Sequence, residues 1–72
     1  MPCISPDGKP TSTGLKTLAA IQRGATTAPE IAKATGQPMF RVRSGLRELV
    51  KAGFLTESGG SYSLTDAGRD AL

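Results

Sequence analysis

The stretch from Thr27 to Pro38 constrains this chain most, because it holds a full set of helix boundaries at very short spacing. Thr27-Ala28-Pro29-Glu30 reads as a capping box, in which the Thr27 hydroxyl accepts from the Glu30 amide and the Glu30 carboxylate accepts from the Thr27 amide. Pro29 falls in the first turn, where its missing N–H costs little. Ile31 and Ala34 follow at helical spacing, Gly36 supplies a stop, and a further helical pattern begins at Pro38. Two helices joined by so short a turn form a helix-turn-helix.

The flanking sequence completes a small domain. Upstream, Thr11, Ser12 and Thr13 offer N-caps for a helix over Thr13 to Arg23, with Leu15, Leu18, Ala19 and Ile21 inward and Gly24 as its stop. Downstream, Val42, Leu46, Leu49 and Val50 mark one face of a helix from Pro38 to about Ala52, ended by Gly53. Gly45 lowers the propensity of that helix, and its missing side chain leaves room for another helix to approach. After Phe54 the period changes. Leu55 to Ser58 and Ser61 to Leu64 flank Gly59-Gly60, which suits a two-residue hairpin turn. Thr65-Asp66 caps a short helical tail, Ala67 to Leu72. Residues 1–10, with their prolines and the Asp7-Gly8 turn signal, read as an N-terminal arm on a domain spanning 11–72.

At 72 residues the chain holds one core, small enough that association with a second copy is expected to support it, though monomer and dimer stay open. There is room for no effector pocket of the few hundred Å³ typical of ligand sites. No apolar run reaches the roughly 20 residues of a membrane span and no signal-peptide pattern opens the chain, so a cytoplasmic location is expected. With no His and only Cys3, no metal site built on soft ligands and no cofactor are expected, and Cys3 is expected reduced. The six acids are scattered over caps and turns, so no enzyme activity is expected.

Charge is not evenly spread. The net charge is +3, and Arg41, Arg43, Arg47 and Lys51 against Glu48 account for all of it, since bases and acids balance elsewhere. At 100° per residue Phe40, Ser44, Arg47 and Lys51 form a stripe opposite Val42, Leu46 and Leu49, with Arg41 and Arg43 on its borders. The pairs Arg43/Arg47 and Arg47/Lys51 each cost the isolated helix a few tenths of a kcal/mol, a penalty that a bound anion removes.

The running pattern Ala28-Pro29-Glu30-Ile31-Ala32, Thr35-Gly36, Val42-Arg43-Ser44-Gly45-Leu46-Arg47-Glu48-Leu49-Val50-Lys51-Ala52-Gly53-Phe54-Leu55, closing with Tyr62-Ser63-Leu64-Thr65-Asp66-Ala67-Gly68, resembles the winged-helix regulators of bacteria and archaea, including MarR-like and ArsR-like transcription factors. The resemblance implies an α+β fold, a winged helix-turn-helix: a three-helix bundle, a small antiparallel hairpin as the wing, a short C-terminal helix, and a first strand at Ala25-Thr26. It also implies a transcriptional regulator that places its third helix in the major groove of double-stranded DNA. On that footing Met39, Phe40, Arg41, Arg43, Ser44 and Arg47 occupy DNA-contact positions, and Ser58 to Ser61 the wing tip. Charge adds Lys51.

The chain departs from that pattern in two places. Met39 and Phe40 are apolar where many such regulators are polar, which leaves thymine methyl contact as their means of reading a base. The wing tip carries no Lys or Arg, and Glu57 lies beside it. A second class of function therefore stays open, a winged-helix adaptor that anchors a protein partner on Met39 and Phe40.

Overall fold

The computed structural model describes residues 3–72. Three helices, α1 (Ser12–Gln22), α2 (Ala28–Thr35) and α3 (Met39–Lys51), are followed by an antiparallel hairpin of β1 (Leu55–Ser58) and β2 (Ser61–Leu64) and by a short helix α4 (Asp66–Asp70). The α+β winged helix-turn-helix expected from the sequence is the fold observed.

Each boundary has a local cause. Thr11 accepts from the Gly14 amide at 3.3 Å and starts α1 at Ser12, a residue earlier than its apolar period suggests. The capping box of α2 is complete: the Glu30 amide donates to Thr27 Oγ1 at 3.4 Å, and the Thr27 amide donates to Glu30 Oε1 at 3.2 Å. Those bonds favour the ionised carboxyl, with the Thr27 side chain the largest contributor, and hold Glu30 below the ordinary glutamate pKa. Gly36 ends α2 with φ 71°, and Pro38 is the N-cap of α3. At the hairpin tip Gly59 and Gly60 take φ 56° and 87°, the two left-handed positions a tight hairpin turn requires. Leu55 pairs with Leu64 and Ser58 with Ser61.

Leu18 and Ile21 of α1, Ile31 of α2, Val42, Leu46 and Leu49 of α3 and Leu55 of β1 form the core. Cys3 joins them, which the reading of residues 1–10 as an arm does not anticipate. Its side chain is 2% exposed, its carbonyl accepts from the Thr11 amide at 2.8 Å, and its amide donates to Glu48 Oε2 at 2.9 Å. The loop that carries it closes on itself through a bridge between Ile4 and Pro10. Gly14 and Gly45 form its slot: a Cβ on Gly14 would collide with the Cys3 carbonyl oxygen, and one on Gly45 with Cys3 Sγ. The space left by Gly45 thus admits the N-terminal loop and not a neighbouring helix. Burial, and then the Glu48 charge, raise the Cys3 pKa, so the thiol stays protonated inside the core.

The strand expected at Ala25-Thr26 is not formed. Gly24 turns the chain, the Ala25 amide bonds back to the Ala20 carbonyl at 3.0 Å, and Thr27 already caps α2. One ladder-like bond remains, from the Tyr62 amide to the Thr26 carbonyl at 2.7 Å, and it ties the wing to the loop before α2. Among the described residues, no helix is long and apolar enough to cross a membrane.

Candidate nucleic-acid interface

The core residues of α3 determine what its other face presents. With Val42, Leu46 and Leu49 fully buried, Phe40, Arg41, Arg43, Ser44, Arg47 and Lys51 are all exposed. Met39 is half-buried at the first turn, and Ser58 and Ser61 are exposed at the wing tip. The one acid of the helix is withdrawn from this face: Glu48 points toward the N-terminal loop and accepts from the Cys3 amide. Among the described residues the one ion pair is Arg69 with Asp66 at 2.7 Å, within α4, so none of the four cations of α3 is neutralised by an acid. A cationic surface of this kind lowers the free energy of any polyanion laid along it.

The face has two parts. Arg43, Arg47 and Lys51 lie on the side of α3 that carries Val50, and with it they form one wall of an open groove of about 630 Å³. Thr27, Ala28 and Pro29 at the start of α2 form the second wall, and Glu57, Gly60 and Tyr62 of the wing close the third side. Ala28, Val50 and Tyr62 are half-buried and make the depth of the groove, while Pro29, Glu57 and the cations are exposed at its rim. Phe40, Arg41 and Ser44 lie outside the groove on the open crest of the helix, where Phe40 is 71% exposed. The serines of the wing tip do not line the groove either.

The start of α2 is less available to an anion than a bare helix N-terminus. Glu30 Oε1 already accepts from the amides of Thr26 and Thr27, each at 3.2 Å. Charge recognition in the groove therefore falls to α3. Glu57 opposes it from the wing, its Oε2 accepting from the Gly60 amide at 2.8 Å.

Sequence reasoning assigns Thr27 to Glu30 to capping and Tyr62 to a strand, and does not bring either to the basic helix. No local signal marks the groove, because it forms from three segments that meet through the core. The alternation of β2, which turns Tyr62 and Leu64 toward the bundle, is the nearest to one.

A helix-turn-helix whose second helix is basic, followed by a β-hairpin packed beside it, defines a winged helix-turn-helix domain. Residues 15–72 match the family described as wHTH-PRTase associated, and the chain belongs to that family. Two solved structures are similar to it, both crystal structures of the O-methyltransferase NcsB1 from neocarzinostatin biosynthesis. One is in complex with S-adenosyl-L-homocysteine and 1,4-dihydroxy-2-naphthoic acid, the other with S-adenosyl-L-homocysteine. Each is 38% identical to this chain over 79% of its length, with a TM-score of 0.73. The chain spans 18% of the first of those enzyme chains and 19% of the second. No curated protein sequence matches it.

Proposed function

We propose that this domain binds double-stranded DNA with the exposed face of α3 and serves as the DNA-reading module of a transcriptional regulator. The observation that carries the reading is the concentration of the whole net positive charge on that face, with Glu48 turned away from it. Arg41, Arg43, Arg47 and Lys51 supply contacts to phosphates and base edges, and Ser44 assists. Met39 and Phe40 stand at the start of α3, the part of a recognition helix nearest the bases, and Phe40 meets a thymine methyl there. Ser58 and Ser61 approach the backbone through hydroxyls alone. The domain acts by binding and carries out no catalysis of its own.

The test is an alanine scan of α3 read by duplex affinity. Arg47→Ala weakens binding by roughly 1–3 kcal/mol where Arg47 reads a guanine, and by less, with no sequence preference, where it meets phosphate alone. Unchanged affinity in both Arg43→Ala and Arg47→Ala would remove α3 as the interface.

A second reading rests on Phe40, which with Leu72 is one of two large apolar side chains left exposed among the described residues. In it the crest of α3 anchors a protein partner, as in the adaptor class. Here Phe40→Ala abolishes association with that partner and salt has little influence.

A further inference from the structure

We infer that a second groove, between α1 and the end of α2, receives an amphipathic helix of a partner protein that carries two acidic side chains two turns apart. No residue of α3 or of the wing lines this groove, so the inference stands apart from the function proposed above.

Lys16, Ala19, Ala20 and Arg23 recur at i, i+3, i+4 and i+7 and form one stripe along α1. The stripe borders an open groove of about 510 Å³, whose other side is Ala25 with Ala34 and Thr35 at the end of α2. Both cations are exposed and no acid lines the groove. Among the described residues neither cation is in an ion pair. The apolar lining is alanine throughout.

That lining selects the occupant. Alanine leaves no side-chain bulk, so a second helix brings its backbone close to α1 and fills the space with its own aliphatic side chains. The polar groups of the depth are already engaged: the Thr35 hydroxyl donates to the Ile31 carbonyl at 2.8 Å, and the Ala25 amide donates to the Ala20 carbonyl at 3.0 Å. An extended peptide or a small polar ligand therefore finds no hydrogen-bond partner there, whereas a helix arrives with its backbone bonds satisfied. A nucleic-acid backbone engages the two cations and leaves the alanines uncovered. Lys16 and Arg23 stand about 10 Å apart along the helix axis, and acids seven positions apart on the incoming helix match both.

The full chain, labelled with ¹⁵N and free of DNA, is titrated with an alanine-rich helical peptide of about 20 residues. The peptide bears two glutamates seven positions apart, with leucines between them on the same face, and a second peptide has glutamine in place of both glutamates. The expected result at about 50 mM salt is saturable shifts of the Lys16, Ala19, Ala25 and Ala34 amides, with the glutamine peptide about fivefold weaker. Lys16→Gln and Arg23→Gln, both exposed changes, together remove that difference. Ala34→Gln, also at an exposed position, fills the groove and weakens both peptides. Absence of saturable shifts overturns the inference, and so does equal affinity for the two peptides. Shifts centred on Arg43, Arg47 and Lys51 overturn it as well, because they place the acidic helix on α3. A free protein that sediments as a dimer, and as a monomer once Ala34→Gln is introduced, gives the groove to a second copy and overturns the acidic partner.

Discussion

Gly45→Ala is the substitution whose outcome the packing of this domain determines most sharply, because its sign depends on a residue far away in sequence. In an ordinary helix interior the change stabilises by about 0.8–1 kcal/mol. Here the new methyl collides with Cys3 Sγ, a side chain 2% exposed between α1 and α3. Overpacking of that kind costs about 1–3 kcal/mol, and expelling Cys3 instead forfeits its burial and its amide bond to Glu48. The net effect is a destabilisation of roughly 1 kcal/mol, which in a domain this small lowers Tm by about 4–8 °C. In a Cys3→Ala background the obstacle is gone. The remaining Cβ of residue 3 lies 3.7 Å from the new methyl, an ordinary contact, so the methyl partly refills the space the sulfur left. There Gly45→Ala becomes stabilising by up to about 1 kcal/mol. The four proteins of the cycle, unfolded thermally and in urea, give a coupling of about 2 kcal/mol between positions 3 and 45. A Gly45→Ala protein more stable than the wild type in the native background would refute the seating of Cys3 in this slot.

Three further outcomes follow from the site and its supports. Glu57→Gln removes the one carboxylate that faces the cations of α3 while keeping an acceptor for the Gly60 amide, and duplex affinity rises several-fold at about 50 mM salt in an anisotropy titration. Thr27→Ala deletes the cap of α2 and costs roughly 1 kcal/mol in urea unfolding; an unchanged midpoint would show that the cap carries no stability. Glu30 has its folded pKa depressed, chiefly by the Thr27 hydroxyl, so its contribution to stability is present above the unfolded value and is lost as pH falls through the folded one. Tm measured between pH 5 and about pH 3 therefore declines less steeply in Glu30→Gln than in the wild type, and parallel curves contradict the assignment.

What the sequence discloses here is local chemistry, and what it conceals is long-range juxtaposition. The capping box at Thr27, the stop at Gly36, the Gly59-Gly60 turn and the opposed faces of α3 each depend on residues within one turn or one hairpin, and they place the helix-turn-helix and the wing within a residue or two. The basic face was legible for the same reason. Cys3 was not, because nothing within ten residues of it shows that Gly14 and Gly45 have left a slot for it. The strand at Ala25-Thr26 follows from resemblance alone and fails because Gly24 and the Thr27 cap leave too little extended chain. The groove depends on Pro29, Val50 and Tyr62 meeting across three elements, a juxtaposition that no local stretch of sequence records.

The central claim is that the four cations of α3 form a DNA-facing surface, and the salt dependence of duplex binding tests it most directly. The purified protein is titrated into a fluorescently labelled duplex at about 50 mM and about 200 mM salt, with anisotropy as the readout. If Arg41, Arg43, Arg47 and Lys51 all meet phosphates, affinity falls by about a hundredfold between the two conditions. Absence of binding at the lower salt, or affinity that does not change between them, contradicts the claim and transfers the interface to a protein partner at Phe40.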